Sequence, residues 1–402
     1  MPTVFERILA FNKDRIPELV KRKYHFISED IFRFYRGTCH LFYEDLSANC
    51  TWTDTTQTWI CGDLHLENYG SYKGDNRVVY FDLNDFDESI LAPATWELVR
   101  VLTSIYIAAE TVPYTAKTAT VLSKLFMECY LNVLRKGKPV VIEKETAEGL
   151  LKSFLQQLQL RKEKAFVQTR IITKKGQPRL LIDNQKTIAL DDKPKQKLLQ
   201  QMNEWFAKND PSQKVKVLDA AHRIAGTGSV GIQRYVLLLR EKKTGKLRLA
   251  DLKEAKLSSV QPYSTLQQPQ WKNEAERVTE IQRRMQHVSP ALLNTVRIGK
   301  TYFVLKELQP TADRMNLAVC KGSLDKLSGI LTIMAEATAS AQLRSGGRQG
   351  SSIADELIDF ATQYKPLKKA ALSYAKQYAQ KVQDDYKSYC KDYAAAIKEK
   401  KI

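Results

Sequence analysis

GDLHLENYG (Gly62–Gly70) and FDLNDFDES (Phe81–Ser89) are the two runs on which the reading of this chain turns. The first sets Asn68 five positions after Asp63, and the second carries Asp82, Asp85 and Asp87. Between them, Tyr69–Tyr72 and Arg77–Phe81 are β-prone and flank KGDN (Lys73–Asn76), a run of turn residues that suits a hairpin. A hairpin there folds the second run back beside Asn68. The chemistry that needs this pattern is a carboxylate accepting a hydroxyl proton, next to an amide oxygen and a second carboxylate. Those two oxygens suit magnesium, a hard cation that takes few protein ligands and fills its shell from phosphates and water. Asp63 is therefore the candidate base, and Asn68 with one aspartate of the second run the candidate magnesium ligands. Asp82 follows the strand directly; Asp85 opens an Asp-Phe-Asp. Asp85 is preferred and both are kept, with Asp87 left to a second ion or to the shape of the loop. His65 is read as structural.

Outward from these runs, the chain has 402 residues, which predicts two lobes or domains. The formal net charge of +18 favours polyanionic partners: nucleotide phosphates, nucleic acid or an anionic membrane surface. Many lysines lie in mixed stretches such as Lys376–Lys391, and aromatic–basic interleaving of the single-strand-binding kind is missing, so charge alone does not call for the last two. The six cysteines form no C-x-x-C pair and read as reduced, packed thiols. No stretch approaches the roughly 20 apolar residues of a membrane-spanning helix. The start, MPTVFERILAFNKDR, carries charges where a signal peptide needs an apolar run. Cytoplasmic residence is the expectation, with export by a signal-less route left open.

A second constellation lies in DAAHRIAGTGSVGIQRYVLLL (Asp219–Leu239), where Gly226, Gly228 and Gly231 give G-x-G-x-x-G. In a dinucleotide-binding fold such a loop leads into a helix. Here Ile232–Arg240 reads as a strand, so the loop joins two antiparallel strands and its N–H groups, helped by the Ser229 hydroxyl, are free to cover phosphates. Lys253 then ends the short strand in LRLADLKEAK (Leu247–Lys256). A helix follows at about Asn273–His287, whose phase puts Glu274 on the face of Val278, Ile281 and Met285 and makes it the predicted partner of Lys253. TYFVLKEL (Thr301–Leu308) is a strand. Glu307 and Leu308, with the QPTADR (Gln309–Arg314) that follows, are placed at a hinge that meets adenine through backbone atoms.

Glycine loop, lysine strand, helix, strand and hinge come in the order of the small lobe of a protein kinase, and Asp-x4-Asn is the spacing of a kinase catalytic loop. In a kinase, however, the catalytic loop comes last; here it comes first. The 62 residues before Asp63 are too few for a lobe with its own glycine loop. The expectation is an α+β, protein-kinase-like two-lobed fold, circularly permuted. Residues 1–214 would form a helical lobe with the catalytic and metal loops, 215–310 a small β lobe, and 311–402 the hinge and the helices that complete the large lobe. Such a permutation is tolerable when the cut falls in a surface loop.

FYRG (Phe34–Gly37), GDLHLENYG, FDLNDFDES with PATWELVRVLTS (Pro93–Ser104), GTGSVG with RYVLLL, LKEAK, ERVTEIQRRMQ (Glu276–Gln286) and FVLKELQP together resemble a bacterial domain-of-unknown-function family grouped with the protein-kinase-like superfamily. The resemblance covers most of the chain and implies a kinase-like fold and nucleotide binding, without naming a substrate. Glu97 stands where related kinases carry an aspartate, and Gln342 where a histidine is expected. The expected activity is phosphoryl transfer from ATP, with Mg2+, to a hydroxyl of a small molecule or protein. AMP transfer by the same residues, a nucleotide-binding module without turnover, and a basic polyanion-binding protein are the alternatives.

Overall fold

Tyr69–Lys73 and Val79–Leu83 pair antiparallel, with Tyr69 opposite Leu83 and Lys73 opposite Val79. The turn lies one residue later than KGDN suggests. Gly74 N–H donates to Val78 O at 2.9 Å, and Arg77 takes the left-handed conformation (φ 68°) instead of starting the second strand. This hairpin belongs to a computed structural model that describes residues 2–209, 215–308 and 313–399.

Four helices precede the hairpin: Val4–Asn12, Pro17–Glu29, Ile31–Gly37 and Cys39–Asn49. Thr3 caps the first and Asp30 the third, each accepting a backbone N–H of the opening turn. After it come helices Ala94–Ala108 and Ala116–Lys136. Every residue of Ala94–Ala108 is buried, including Glu97 and Arg100. A helix without a wet face runs through the middle of the large core, so its two charges have to find partners inside. Helices Leu324–Ser345, Ala354–Gln363 and Lys365–Lys398 complete this layer. Leu324–Ser345 reaches the hairpin through Thr338, whose hydroxyl meets that of Tyr69 at 2.7 Å.

The second layer is a six-stranded, all-antiparallel sheet in the order Asn294–Ile298, Thr301–Leu308, Leu247–Glu254, Arg234–Glu241, Val215–Arg223, Thr187–Ile188. Side chains alternate between its faces. Val217, Leu237, Leu239 and Leu252 share one cluster with Leu198, Met202 and Phe206 of helix Asp192–Asn209; Val236, Leu238 and Leu249 share another with Val167 and Leu180. The sheet layer thus starts upstream of residue 215. Its edge strand and a covering helix come from the charged stretch that the expected boundary at 214 assigns to the helical lobe, because Leu198, Met202 and Phe206 fall on one helical stripe. Helix Glu274–Met285, capped by Asn273, lies between sheet and helical layer with Ala275, Val278, Ile281 and Met285 buried.

The chain is thus a mixed α+β protein. None of its described helices is long and apolar enough to cross a membrane, and the six cysteines are free thiols. Of the expected hinge, residues 309–312 lie outside the described residues; at Asp313 the backbone carbonyl accepts from Ser71 N–H at 2.7 Å, against the hairpin.

Candidate active site

A cavity of about 430 Å³ opens between the two layers, and Asp63, Asn68, Asp85, Asp87, Gly228 and Ser229 all line it. The Gly62–Gly70 loop is fixed from below. Glu97 Oε1 accepts from Cys61 N–H (2.7 Å) and Gly62 N–H (3.3 Å). The Tyr43 hydroxyl donates to Gly62 O. Gly62 itself has φ 84°, and a Cβ there would meet Glu88 O at 2.2 Å, so both conformation and space demand glycine.

Asp63 Oδ1 accepts from Arg100 Nε at 3.0 Å and from Arg100 Nη2. Arg100 is fully buried, lies 4.2 Å above the Tyr35 ring and donates again to Tyr35 O. Burial pushes the Asp63 carboxyl up to about 6, although Arg100 pulls it back. A carboxylate with that affinity for a proton, one oxygen anchored and the other on a cavity, is equipped to take a hydroxyl proton. His65 Nδ1 accepts from Glu67 N–H at 3.1 Å, and its Nε2 stands 3.9 Å from Asp63 Oδ2. Burial, with Arg36 and Arg100 nearby, drives the imidazole well below its usual range and keeps it neutral.

Asn68 donates its side-chain N–H to Asp63 O, which leaves the amide oxygen for another partner. The hairpin returns the second acidic run to it, with Asn84 N–H donating to Asn68 O at 2.9 Å. Asp85 and Asp87 then converge on Lys253. Its ammonium is 3.6 Å from Asp85 Oδ2 and in contact with Asp87 Oδ2. Burial alone would raise Asp85, but Lys253 and Lys306 outweigh it and hold that carboxyl down; burial and Asp85 raise Asp87. Among the described residues no three His, Cys, Asp or Glu side chains converge to hold a metal by themselves. Asn68 and Asp85 offer two hard oxygens on one cavity, a donor set that fits a magnesium ion whose other ligands come from phosphate and water.

Three expectations need correction. Asp82 does not face the cavity: it is buried, with Oδ2 accepting from Arg344 Nη2 at 2.7 Å and Oδ1 from Leu83 N–H, because it sits inside the strand with its side chain on the helical side. Glu274 does not pair with Lys253. It accepts from Arg277 Nε at 2.6 Å, and Arg277 reaches past it to the carbonyls of Asp87 (2.8 Å), Lys256 (3.0 Å) and Ser89. The helix therefore braces the acidic loop through its arginine and leaves Lys253 to the aspartates. Glu307 has its N–H on Ala291 O (2.9 Å) and its carboxylate on Arg77 (2.8 Å), so neither is open to a base; neither Glu307 nor Leu308 lines the cavity.

The glycine loop arches over the site. Gly226 (φ 77°) and Gly231 (φ 101°) hold conformations that suit glycine. A Cβ on Gly228 would lie 3.3 Å from Arg36 O and 3.9 Å from Asp63 Oδ2, so the tip reaches the base. The stems of the loop are stapled by Asp251, which takes Arg234 in a two-pronged pair and Arg223 at 2.9 Å; Arg234 also donates to Ala225 O at 2.8 Å. The Ser229 hydroxyl donates back to Ala225 O at 3.3 Å. Gly231 and Lys253 stay behind the lining, Lys253 meeting the cavity only through its aspartates.

Arg100, Arg277 and Arg234 are the residues that motif reading missed. For Arg100 and Arg234 the available signal was a charge in a largely apolar helix or strand; Arg277 lies in the charged helix EAERVTEIQRRM, where no such signal exists. Glu97 stands where the resemblance places an aspartate, and it anchors the loop. Gln342 accepts from the Tyr130 hydroxyl (2.5 Å). Glu97 is the larger energetic feature, since burial pushes its carboxyl from 4.5 up to about 7 against the hydrogen bonds of Cys61 and Gly62. The folded state therefore binds this proton more tightly than the unfolded chain does. Its contribution, roughly 3 kcal/mol, is present below the ordinary carboxyl range and is lost as pH rises towards 7. Calorimetric melting of Glu97→Gln beside wild type should show a gap that widens by several degrees in favour of the variant between pH 5 and pH 8. Parallel curves would mean that Glu97 does not titrate there.

A family profile described as an uncharacterised protein conserved in bacteria matches residues 15–392. No curated protein matches the chain, and no solved structure does.

Proposed function

The chain belongs to that family, DUF2252, whose description names no activity, and from the cleft we propose that it is an ATP- and magnesium-dependent phosphotransferase acting on a hydroxyl. The observation that carries this reading is the convergence on one cavity of a half-buried carboxylate, an amide–carboxylate oxygen pair and a glycine loop that joins two antiparallel strands. Proton acceptance, magnesium ligation and phosphate covering are the three tasks of phosphoryl transfer, and residues suited to each line the one cavity.

Asp63 accepts the acceptor's proton while Arg100 holds the carboxylate in place. Asn68 and Asp85 would hold magnesium, which would supply positive charge to neutralise phosphate. Lys253 bridges Asp85 and Asp87 and holds the Asp85 carboxyl down. Strand, glycine loop, strand, lysine strand, helix and two strands run in kinase order from Val215 to Leu308 and are followed by Leu324–Ser345. In a kinase the catalytic loop follows that last helix, and the Gly62–Gly70 loop is the segment with its Asp-x4-Asn spacing. We read the fold as kinase-like and circularly permuted on this order.

Thermal unfolding with ATP and magnesium tests the site. Ligand at 100 times its dissociation constant stabilises by about 2.7 kcal/mol, a shift of several degrees. Wild type should show the shift, and Asp85→Ala should lose its magnesium-dependent part. Asp82→Ala should keep the shift but start from a lower melting temperature, because Arg344 loses its buried partner. A shift indifferent to magnesium, or one lost with Asp82 and kept without Asp85, contradicts the ligand assignment.

A further inference from the structure

We propose that Arg15 and Lys23 are positioning residues that hold the tip of the glycine loop so that its N–H groups face a nucleotide's phosphates. This rests on the phosphotransferase reading above. Arg15 Nη1 donates to Gly228 O at 2.7 Å and to Val230 O at 2.8 Å, and Lys23 Nζ donates to Gly228 O at 2.9 Å. Ile16 N–H donates to Gly231 O at 2.8 Å. Three carbonyls of the loop are thus tied to a segment more than 200 residues away in sequence.

A planar trans peptide carries its C=O and N–H on opposite edges. Fixing the Gly228 and Val230 carbonyls therefore turns the N–H groups of Ser229 and Gly231 away from the segment. Neither N–H makes a hydrogen bond to protein among the described residues. Ser229 lines the cavity, so its N–H is open to an anion bound there, while Gly231 stays behind the lining.

The cations themselves need an explanation. Lys23 is fully buried, and Arg15, half-buried, lines the cavity with its guanidinium 5.3 Å from the centroid of the Phe11 ring. No carboxylate lies within ion-pair distance of either among the described residues. Buried charge without a counter-ion is costly: burial and the nearby Arg15 hold the Lys23 ammonium well below its usual range, and both side chains grip the carbonyl edge of a loop whose other edge offers N–H groups. An anion on that side would compensate them. Packing agrees: a Cβ on Gly231 would sit 3.0 Å from Arg15 Cβ and from Val20 Cγ2, so the segment is seated against the loop backbone itself.

Binding of ATP with magnesium, ADP with magnesium, and adenosine, titrated by calorimetry on the full chain, separates the possibilities. Arg15→Gln and Lys23→Met should each weaken ATP and ADP about tenfold or more and leave adenosine unchanged. Arg15→Lys, which keeps a charged donor, should recover most of the loss. Equal weakening of all three ligands, or none, overturns the clamp and leaves only a structural role. Wild type that fails to bind ATP at all overturns the phosphotransferase reading itself. Hydrogen exchange on wild type needs no variant to fold. ATP with magnesium should protect the amides of residues 226–231 together with those of residues 13–24, and protection confined to the loop counts against the proposal.

Discussion

Asp63→Asn should lower phosphoryl transfer by about 10²–10⁴-fold, the range of a positioned general base, while ATP and magnesium still bind. Asparagine keeps the shape of the side chain and lets one atom accept from Arg100, but an amide cannot take a proton. The pH dependence is the sharper readout. A base works when deprotonated, and burial places the Asp63 carboxyl at about 6. The wild-type rate should fall about tenfold per pH unit below that value and level off above it, and the variant should lack this limb. Release of labelled phosphate from γ-labelled ATP, with product masses recorded, measures both and also distinguishes phosphate transfer from AMP transfer. A variant with wild-type turnover removes Asp63 from the chemistry.

The parts of the site that were legible in the sequence are those set by local rules. Lys73–Asn76 announces a turn, and a turn between β-prone runs brings Asp85 back to Asn68. Glycines between two strand-like runs announce an antiparallel loop rather than a Rossmann loop, and Gly226 and Gly231 do take positive φ. Partner choice was not legible, because it depends on which layer a side chain meets. Helical phase predicts Glu274 on the inner face, but its side chain is 31 % exposed, and Arg277 one turn on is longer, reaches three backbone carbonyls and takes Glu274 for itself. Asp82 and Asp85 are equivalent by spacing. They differ only because the strand runs through Leu83, which commits Asp82 to the helical face and Arg344. Thr187–Ile188 is too short to carry a periodic signal and exists as a strand only against Arg223 and His222. Arg15 and Lys23 look like solvated charges in a lysine-rich chain until the fold sets them against the carbonyls of the glycine loop.

Arg100→Met should cost about 3–5 kcal/mol in urea unfolding, the penalty for breaking a buried ion pair by removing one partner. The methionine fills most of the volume above Tyr35 but leaves Asp63 Oδ1 and Tyr35 O without their donors. The catalytic consequence follows from the same contact. Burial raises the Asp63 carboxyl, and Arg100 is the largest influence drawing it back down. Without the guanidinium the carboxyl climbs, so the acid limb of the rate profile should move to higher pH by about a unit or more. Arg100→Lys distinguishes charge from geometry. An ammonium restores the attraction to Asp63, but it lacks the planar fork that serves Asp63 and Tyr35 O together. The acid limb should therefore return towards 6 while much of the stability stays lost. If Arg100→Met is destabilised but its limb stays at about 6, Arg100 supports the fold alone, and the proton affinity of Asp63 must come from elsewhere in the cleft.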